Sequence, residues 1–365
     1  MAEHDNENSE EKTVPRAITS HAQFCAALLK SGEVVRVEYT TTEELMPVLE
    51  KAKVAWTNYL VDDLKIKGDE IAASLGFTSG LVGKLTEGTG YSEYIDNDVE
   101  LGLLVPAVTV KNLEVTVKPL VILMRKGLIL TLSGSDVVRL VRFSRYADTF
   151  LRKIPTDAAW QDSLTLALIR ILDENNDRNF DHLREIEMQA DEISKELLND
   201  PKTPRNKAGP MIYSMKHALI TYMNALWATL DVVNSLRYGD AEVVTDDTKI
   251  IERITMLSSD INHQLELSEH MSEVLASGLE VLQTIYNNQL QMLNNRLAWL
   301  ATWLAIVGTA ILVPNTLATI YGIAPIAEHL GYQFIISSLI FASLLSAAIV
   351  FGVLKWKNWM PKKED

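Results

Sequence analysis

From Leu297 to Ala327 the chain carries no Asp, Glu, Lys, Arg or His, and from Leu330 to Leu354 again none. About 20 apolar residues in helical form cross the hydrocarbon core of a bilayer. Both stretches are long enough, and a core helix of a water-soluble protein seldom stays free of charge over such a length. Two membrane-spanning helices are therefore expected, at 297–320 and 334–356, joined by an external loop at 321–333. Lys and Arg near the ends of spans set orientation. Arg296 precedes the first span, Lys355, Lys357, Lys362 and Lys363 surround the end of the second, and the loop has neither residue type. The expectation is a multi-pass protein of the plasma (cell inner) membrane, with both termini, including a basic tail at 357–365, in the cytosol. Trp356 and Trp359 stand where interfacial aromatic anchors belong.

The rest of the chain is acidic. Of its 34 basic and 48 acidic residues, only four lysines and three acidic residues follow Arg296. Everything before the first span thus has a net charge of −15. Such a surface repels nucleic acid, so no nucleic-acid partner is expected. It attracts cations, or it only keeps the domain soluble. One cysteine, Cys25, rules out an internal disulfide framework and suits a reducing compartment. Residues 1–20 are polar and acidic, lack an apolar core, and read as a disordered tail rather than a signal peptide.

Residues 21–155 mix strand and helix signals. Val34–Tyr39 alternates as a strand does, and Val99–Val105, Val108–Val117 and Leu120–Leu132 are Val-, Ile- and Leu-rich with Pro and Gly between them. Asp69–Leu75 and Ser79–Leu85 read as short helices. The expectation is an α/β cytosolic domain with a mixed sheet. Residues 156–245 follow a helical period and form a hairpin. Its first arm runs over Ala158–Leu198, a breaker-rich stretch follows at Asn199–Pro210, and the second arm covers Met211–Arg237. A long helical stalk at 246–296 then runs into the first span. With no proline between Asp246 and Pro314, a continuous helix would reach roughly 100 Å at 1.5 Å per residue. A helix that long needs partners along its length.

Counting in sevens along this helix gives Asn288, Asn295, Thr302, Thr309 and Thr316, all polar. The adjacent row reads Gln291, Ala298, Ala305, Leu312 and Thr319. A seven-residue repeat is what a left-handed bundle imposes on its central seam. Polar residues on that seam fit close helix packing in the membrane, or a water-lined pore. Two spans per chain cannot enclose an aqueous path, so a pore would require a ring of subunits.

The order of parts, with Pro314–Asn315–Thr316 at the end of the first span and Ile320–Tyr321–Gly322–Ile323 after it, resembles the CorA family of magnesium and cobalt transporters. The likeness covers nearly the whole chain in architecture and about Asn288–Gly331 in motif. It implies a funnel-shaped homo-oligomer, a homopentamer in a lipid bilayer, with the first span lining a channel and cytosolic metal between subunits closing it. In the family Tyr-Gly is followed by Met-Asn, and the Asn supplies a carbonyl at the outer mouth. Here those two positions hold Ile323 and Ala324. The outer mouth would then be formed by Tyr321, Gly322, Ile323 and Glu328, with His329 nearby.

Asp260, His263, Glu266 and His270 lie along one part of the stalk. They would make a regulatory metal site of imidazole and carboxylate, or an ordinary solvated face. Gly80–Lys84 lacks the first Gly and the final Ser or Thr of a nucleotide-binding loop, so ATP is not expected as a partner. No catalytic constellation is present, and the chain is not expected to be an enzyme. The reading is passive transport of a divalent cation, with Mg²⁺ and Co²⁺ leading and Ni²⁺ and Zn²⁺ as alternatives, the metal being cargo and regulator together. The rival is a non-conducting, membrane-anchored metal sensor or scaffold that has lost transport.

Overall fold

The computed structural model describes residues 23–39, 41–88, 90–135, 137, 143–199, 208–323 and 331–356. The chain divides into two compact units, Met1–Leu275 and Ala276–Asp365. The first is built on a seven-stranded sheet: β1 (Phe24–Leu29), β2 (Val34–Glu38), β3 (Ala52–Leu60), β4 (Glu93–Asp96), β5 (Glu100–Lys111), β6 (Glu114–Arg125) and β7 (Leu128–Ser133). Their order is β2-β1-β3-β7-β6-β5-β4. Only β3 and β7 pair in parallel, and the remaining pairs are antiparallel. The sheet is mixed, as the strand signals predict.

Successive side chains of a strand point to opposite faces, and here both faces are buried. One face presents Phe24, Val54, Trp56, Leu103, Ile122 and Ile129 to a helical layer. That layer comprises α4 (Ala147–Leu151), α5 (Trp160–Asp177), α6 (Asn179–Asn199), α7 (Ala208–Tyr238) and the beginning of α8 (Thr248–Tyr321). The other face sets Ala27, Ala55, Val121, Leu123, Leu130 and Leu132 against α2 (Lys67–Ser74) and α3 (Leu81–Leu85). A short helix α1 (Met46–Lys51) leads into β3.

Trp56, Asn58 and Thr131 pair with one another across β3 and β7. Trp56 Nε1 donates to Thr131 Oγ1 at 3.0 Å, and Thr131 donates to Asn58 Oδ1 at 2.8 Å. Phe24 meets Trp56 edge-on, ring centroids 4.8 Å apart. The buried Glu100 accepts from the backbone N–H of Thr78 at 3.0 Å, which holds the α2–α3 connection on the end of β5. Across the ladder from Glu100 stands Arg125, whose Nη1 donates to Gly76 O at 3.3 Å.

Three features differ from the sequence reading. First, β1 and β3 carry no alternation, because both of their faces are covered, and they went unassigned for that reason. Second, β5 and β6 run straight through Pro106 and Pro119, which face each other in register. The break falls instead at Asn112–Leu113, where φ of 51° and 63° makes a tight hairpin. Third, the hairpin's first arm is two helices, α5 and α6, meeting at Arg178. Asn175 Nδ2 donates to Pro106 O at 2.9 Å and ties α5 to the strand there.

In the second unit, α8 and α9 (Tyr332–Trp356) are each long and apolar enough to cross a membrane. The termini at 1–20 and 357–365, and most of the loop, lie outside the described residues.

Cys25 is fully buried in the sheet, and burial pushes its thiol up to about 12. The thiolate is the reactive form. At pH 8 the folded protein is expected to show no thiol reaction with 5,5′-dithiobis(2-nitrobenzoate), and full reaction in denaturant. Fast labelling of the native chain would contradict this burial.

Candidate functional site

Within the membrane-spanning part of α8, every threonine hydroxyl is committed to its own helix. Thr302, Thr309, Thr316 and Thr319 donate to the carbonyls of Ala298, Ala305, Leu312 and Asn315, each at 2.8 Å. This is the usual i−4 back-bond of Ser and Thr in helices. With the proton used inward, each hydroxyl turns an acceptor oxygen outward. A row of such oxygens suits a cation rather than an anion.

Pro314 sits inside α8. Proline has no N–H, so the carbonyl of Ala310 loses its helical donor. In hydrocarbon an orphaned carbonyl costs several kcal/mol, roughly. Ser343 of α9 supplies the missing donor, its Oγ lying 3.0 Å from Ala310 O. One turn further along α9, the buried Ser346 donates to Ser343 O at 3.0 Å and reaches Thr309 O at 3.5 Å. Small residues allow helices to approach closely in membranes, and Ala342, Ser343, Ser346 and Ala347 cluster on this covered side of α9.

This packing orients the two candidate rows. Thr302 and Thr309 are half-covered, on the flank that also includes Ile306, Ala310 and Val313. Thr316 and Asn288 are exposed, and Asn295 is half-covered. The neighbouring row, Gln291, Ala298, Ala305, Leu312 and Thr319, is exposed throughout. At its C-terminal end, Tyr321 closes α8, Gly322 N donates to Ala318 O at 2.9 Å, and Ile323 N donates to Ile320 O at 3.2 Å. Ala324, Glu328 and His329 lie outside the described residues.

The candidate metal residues of the stalk belong to the first unit. His263 Nδ1 lies 4.0 Å from Glu266 Oε2, both side chains largely exposed, and its ring is 6.1 Å from that of Phe180 on α6. Asp260 and His270 are exposed. Among the described residues, no three His, Cys, Asp or Glu side chains come together as a metal site within one chain. A metal on these residues therefore needs ligands from a second subunit or water.

Sequence reasoning missed the electrostatic neighbourhood of Asp260. Burial is the main cause pushing the Asp173 carboxyl of α5 above the usual carboxylate range, and Asp177 and Asp260 push it the same way. Arg170 opposes them, with Nη1 2.6 Å from Asp173 Oδ2. Glu174 is raised as well, again first by burial. Nothing in the order of residues along α5 reveals that α8 brings Asp260 to them. It missed Ser343 and Ser346 also, although the excess of serine in an otherwise apolar span was a visible signal.

Two outcomes are expected. Ser343→Ala should lower the thermal midpoint of the detergent-solubilised protein, by about 1 kcal/mol in stability. In a Pro314→Ala background, where residue 314 regains its N–H, the same change should cost little; equal losses in both backgrounds would contradict the assignment. For Asp173, the folded-state pKa lies above the unfolded one. Its stabilising contribution is complete below the ordinary carboxylate range and is lost as pH rises through the raised value. Asp173→Asn should therefore raise the thermal midpoint at pH 7 relative to the parent, with the gap closing near pH 4.

The fold has known counterparts. The complete CorA magnesium transporter of Methanocaldococcus jannaschii superposes with a TM-score of 0.66 at 15% identity, over 92% of this chain and 98% of that one. The full-length CmaX protein gives 0.61 at 14% identity, again over 92% and 98%. The ZntB cytoplasmic domain of Vibrio parahaemolyticus RIMD 2210633 gives 0.53 at 16% identity, over 73% of this chain and 98% of that domain. At such identities the likeness is one of fold. No curated protein matches the chain. The CorA-like Mg²⁺ transporter protein family matches residues 51–355, from the start of β3 to the end of α9. The chain therefore belongs to the CorA-like family of divalent-cation transporters, membrane proteins that move metal ions.

Proposed function

We propose that this chain forms a homopentameric channel that passes divalent cations down their electrochemical gradient, with Mg²⁺ and Co²⁺ as leading cargo and Ni²⁺ and Zn²⁺ as alternatives. The observation that carries this reading is the row of outward hydroxyl oxygens on α8 beside an exposed row of small residues. Hydroxyl acceptors without competing cations complement a hydrated metal ion, which sheds its water reluctantly when it is Mg²⁺. In a ring of subunits the exposed flank of Ala298, Ala305, Leu312, Thr316 and Thr319 turns to the axis. Thr302 and Thr309 then stand at the seam between that axis and α9. Asn288 and Asn295 continue the polar row below the membrane.

At the outer mouth, the carbonyls of Tyr321, Gly322 and Ile323, together with Glu328, receive the ion. With alanine at 324, its grip rests on backbone oxygens and on loop carboxylate. On the cytosolic side, Asp260, His263, Glu266 and His270 from adjacent subunits collect a regulatory metal. The positive-inside pattern supports cytosolic termini, and the membrane of this reading is the plasma (cell inner) membrane. An inside-negative potential draws a divalent ion inward by roughly 4–5 kcal/mol per 100 mV, so flux needs no ATP.

Purified protein in liposomes, with fluorescent reporters for Mg²⁺, Co²⁺, Ni²⁺ and Zn²⁺, tests the reading. Uptake of one or more of these ions is expected. Thr316→Leu and Ala305→Leu should each reduce it at least about tenfold with the oligomer intact. Ile311→Val, on the opposite exposed side of α8, should leave it unchanged. No uptake of any of the four ions by a stable oligomer would select the sensor or scaffold reading.

A further inference from the structure

We propose that a cationic cleft at the N-terminal ends of β3 and β7 binds a small phosphorylated anion. The cleft has a volume of about 290 Å³. Its walls come from four separate places in the chain: Lys30 after β1, Glu50 and Lys53 around the α1–β3 junction, Arg125 and Lys126 at the β6–β7 turn, and Trp160 at the start of α5. Lys30, Lys53, Arg125 and Lys126 line it with Glu50 as its one acidic residue, Arg125 turning its guanidinium toward Gly76 and Glu100, within a segment whose overall balance is strongly acidic.

The lysines are positioned without being neutralised. Lys30 Nζ donates to Glu50 O at 3.1 Å. Lys53 Nζ donates to Pro155 O at 3.1 Å and Thr156 O at 2.8 Å. Backbone carbonyls fix an ammonium in place while leaving its charge uncompensated. An ammonium has three donors, so two remain on Lys30 and one on Lys53. Lys126 Nζ lies 5.5 Å from the centre of the Trp160 ring. Among the described residues no carboxylate lies within salt-bridge distance of Lys30, Lys53 or Lys126. Arg125 completes the wall, its guanidinium 5.5 Å over the Phe77 ring and electrostatically facing Glu100.

The frame is rigid. Lys126–Gly127 is a two-residue turn whose Gly127 has φ of +80°, and Gly127 O accepts from Ala55 N at 2.9 Å, so the turn is clamped to β3. Cations held together by the backbone repel one another, and the repulsion is relieved by an anion placed among them. A phosphoryl group brings up to two charges and three acceptor oxygens, enough to meet donors arriving from several directions. The volume lies at the lower limit for small-molecule sites. It fits pyrophosphate or a nucleoside monophosphate. This site is independent of the pore reading.

Isothermal titration of the full-length protein in detergent, in metal-free buffer with EDTA, tests it with sodium pyrophosphate and AMP as probes. Dioctanoyl phosphatidic acid is run beside them to separate a lipid headgroup from a soluble anion. Expected is saturable binding of a soluble probe at one site per chain, weakening as salt rises. Lys53→Gln and Lys126→Gln should each weaken it about fivefold to tenfold, and Lys111→Gln, elsewhere on the sheet, should not. Lys30 and Lys126 are exposed, so Lys30→Gln and Lys126→Gln keep the test valid should Lys53→Gln misfold. Absence of binding up to millimolar probe, or binding that survives both exposed-lysine changes, overturns the proposal. Binding of the lipid alone also overturns it, assigning the cleft to a headgroup.

Discussion

A hydrocarbon environment offers no hydrogen-bond partner, and the membrane half of this protein is organised around that fact. Pro314 breaks the internal ladder of α8 and exposes one carbonyl, that of Ala310. Ser343 on α9 answers it. This bond, with Ser346 reaching Thr309 O one turn on, couples the two spans at a fixed depth and sets which flank of α8 is covered. The flank left open is the one with Ala298, Ala305, Leu312, Thr316 and Thr319. Satisfying the backbone and leaving one flank of α8 uncovered are thus one event.

The first unit solves a different problem. Its central sheet is buried on both faces, so β1, β3, β5, β6 and β7 each contribute to two hydrophobic clusters. Within the central strands, Thr131 pairs the polar groups of Trp56 and Asn58. The edges of the sheet remain free for charge. One end holds the Glu100–Arg125 pair that secures the α2–α3 connection. Beside it lie the lysines of the cationic cleft, an inversion of the sign that dominates the rest of the segment.

Charge in this protein is consequently local. The bulk excess of acid suits a cation-handling molecule, yet its effect differs from site to site. Around Asp173, burial and like-charged neighbours on two helices favour the protonated carboxyl. Around Lys53, carbonyl oxygens hold an ammonium without offering a counter-charge. Neither behaviour follows from the net charge, and both follow from which elements the fold brings together.

Much of the architecture was legible in the residues alone. Charge-free length fixes the two spans, because only about 20 apolar residues are needed and few other structures tolerate such a run. Helical period and the absence of proline fix the long helix, and the terminal motif gives the family. The strands β1 and β3 were hidden, since a strand covered on both faces loses its alternation. Pro106 and Pro119 pointed to breaks that the ladder does not make, because both lie where β5 and β6 pair only with each other, past the reach of β4 and β7, and proline is tolerated on such an edge. The heptad named the polar row on α8 but not the direction it faces, which depends on where α9 packs. The cleft was beyond sequence reasoning altogether. Its cations are drawn from residues 30, 53, 125 and 126, and only the pairing of β3 with β7 and the seating of α5 bring them to one place.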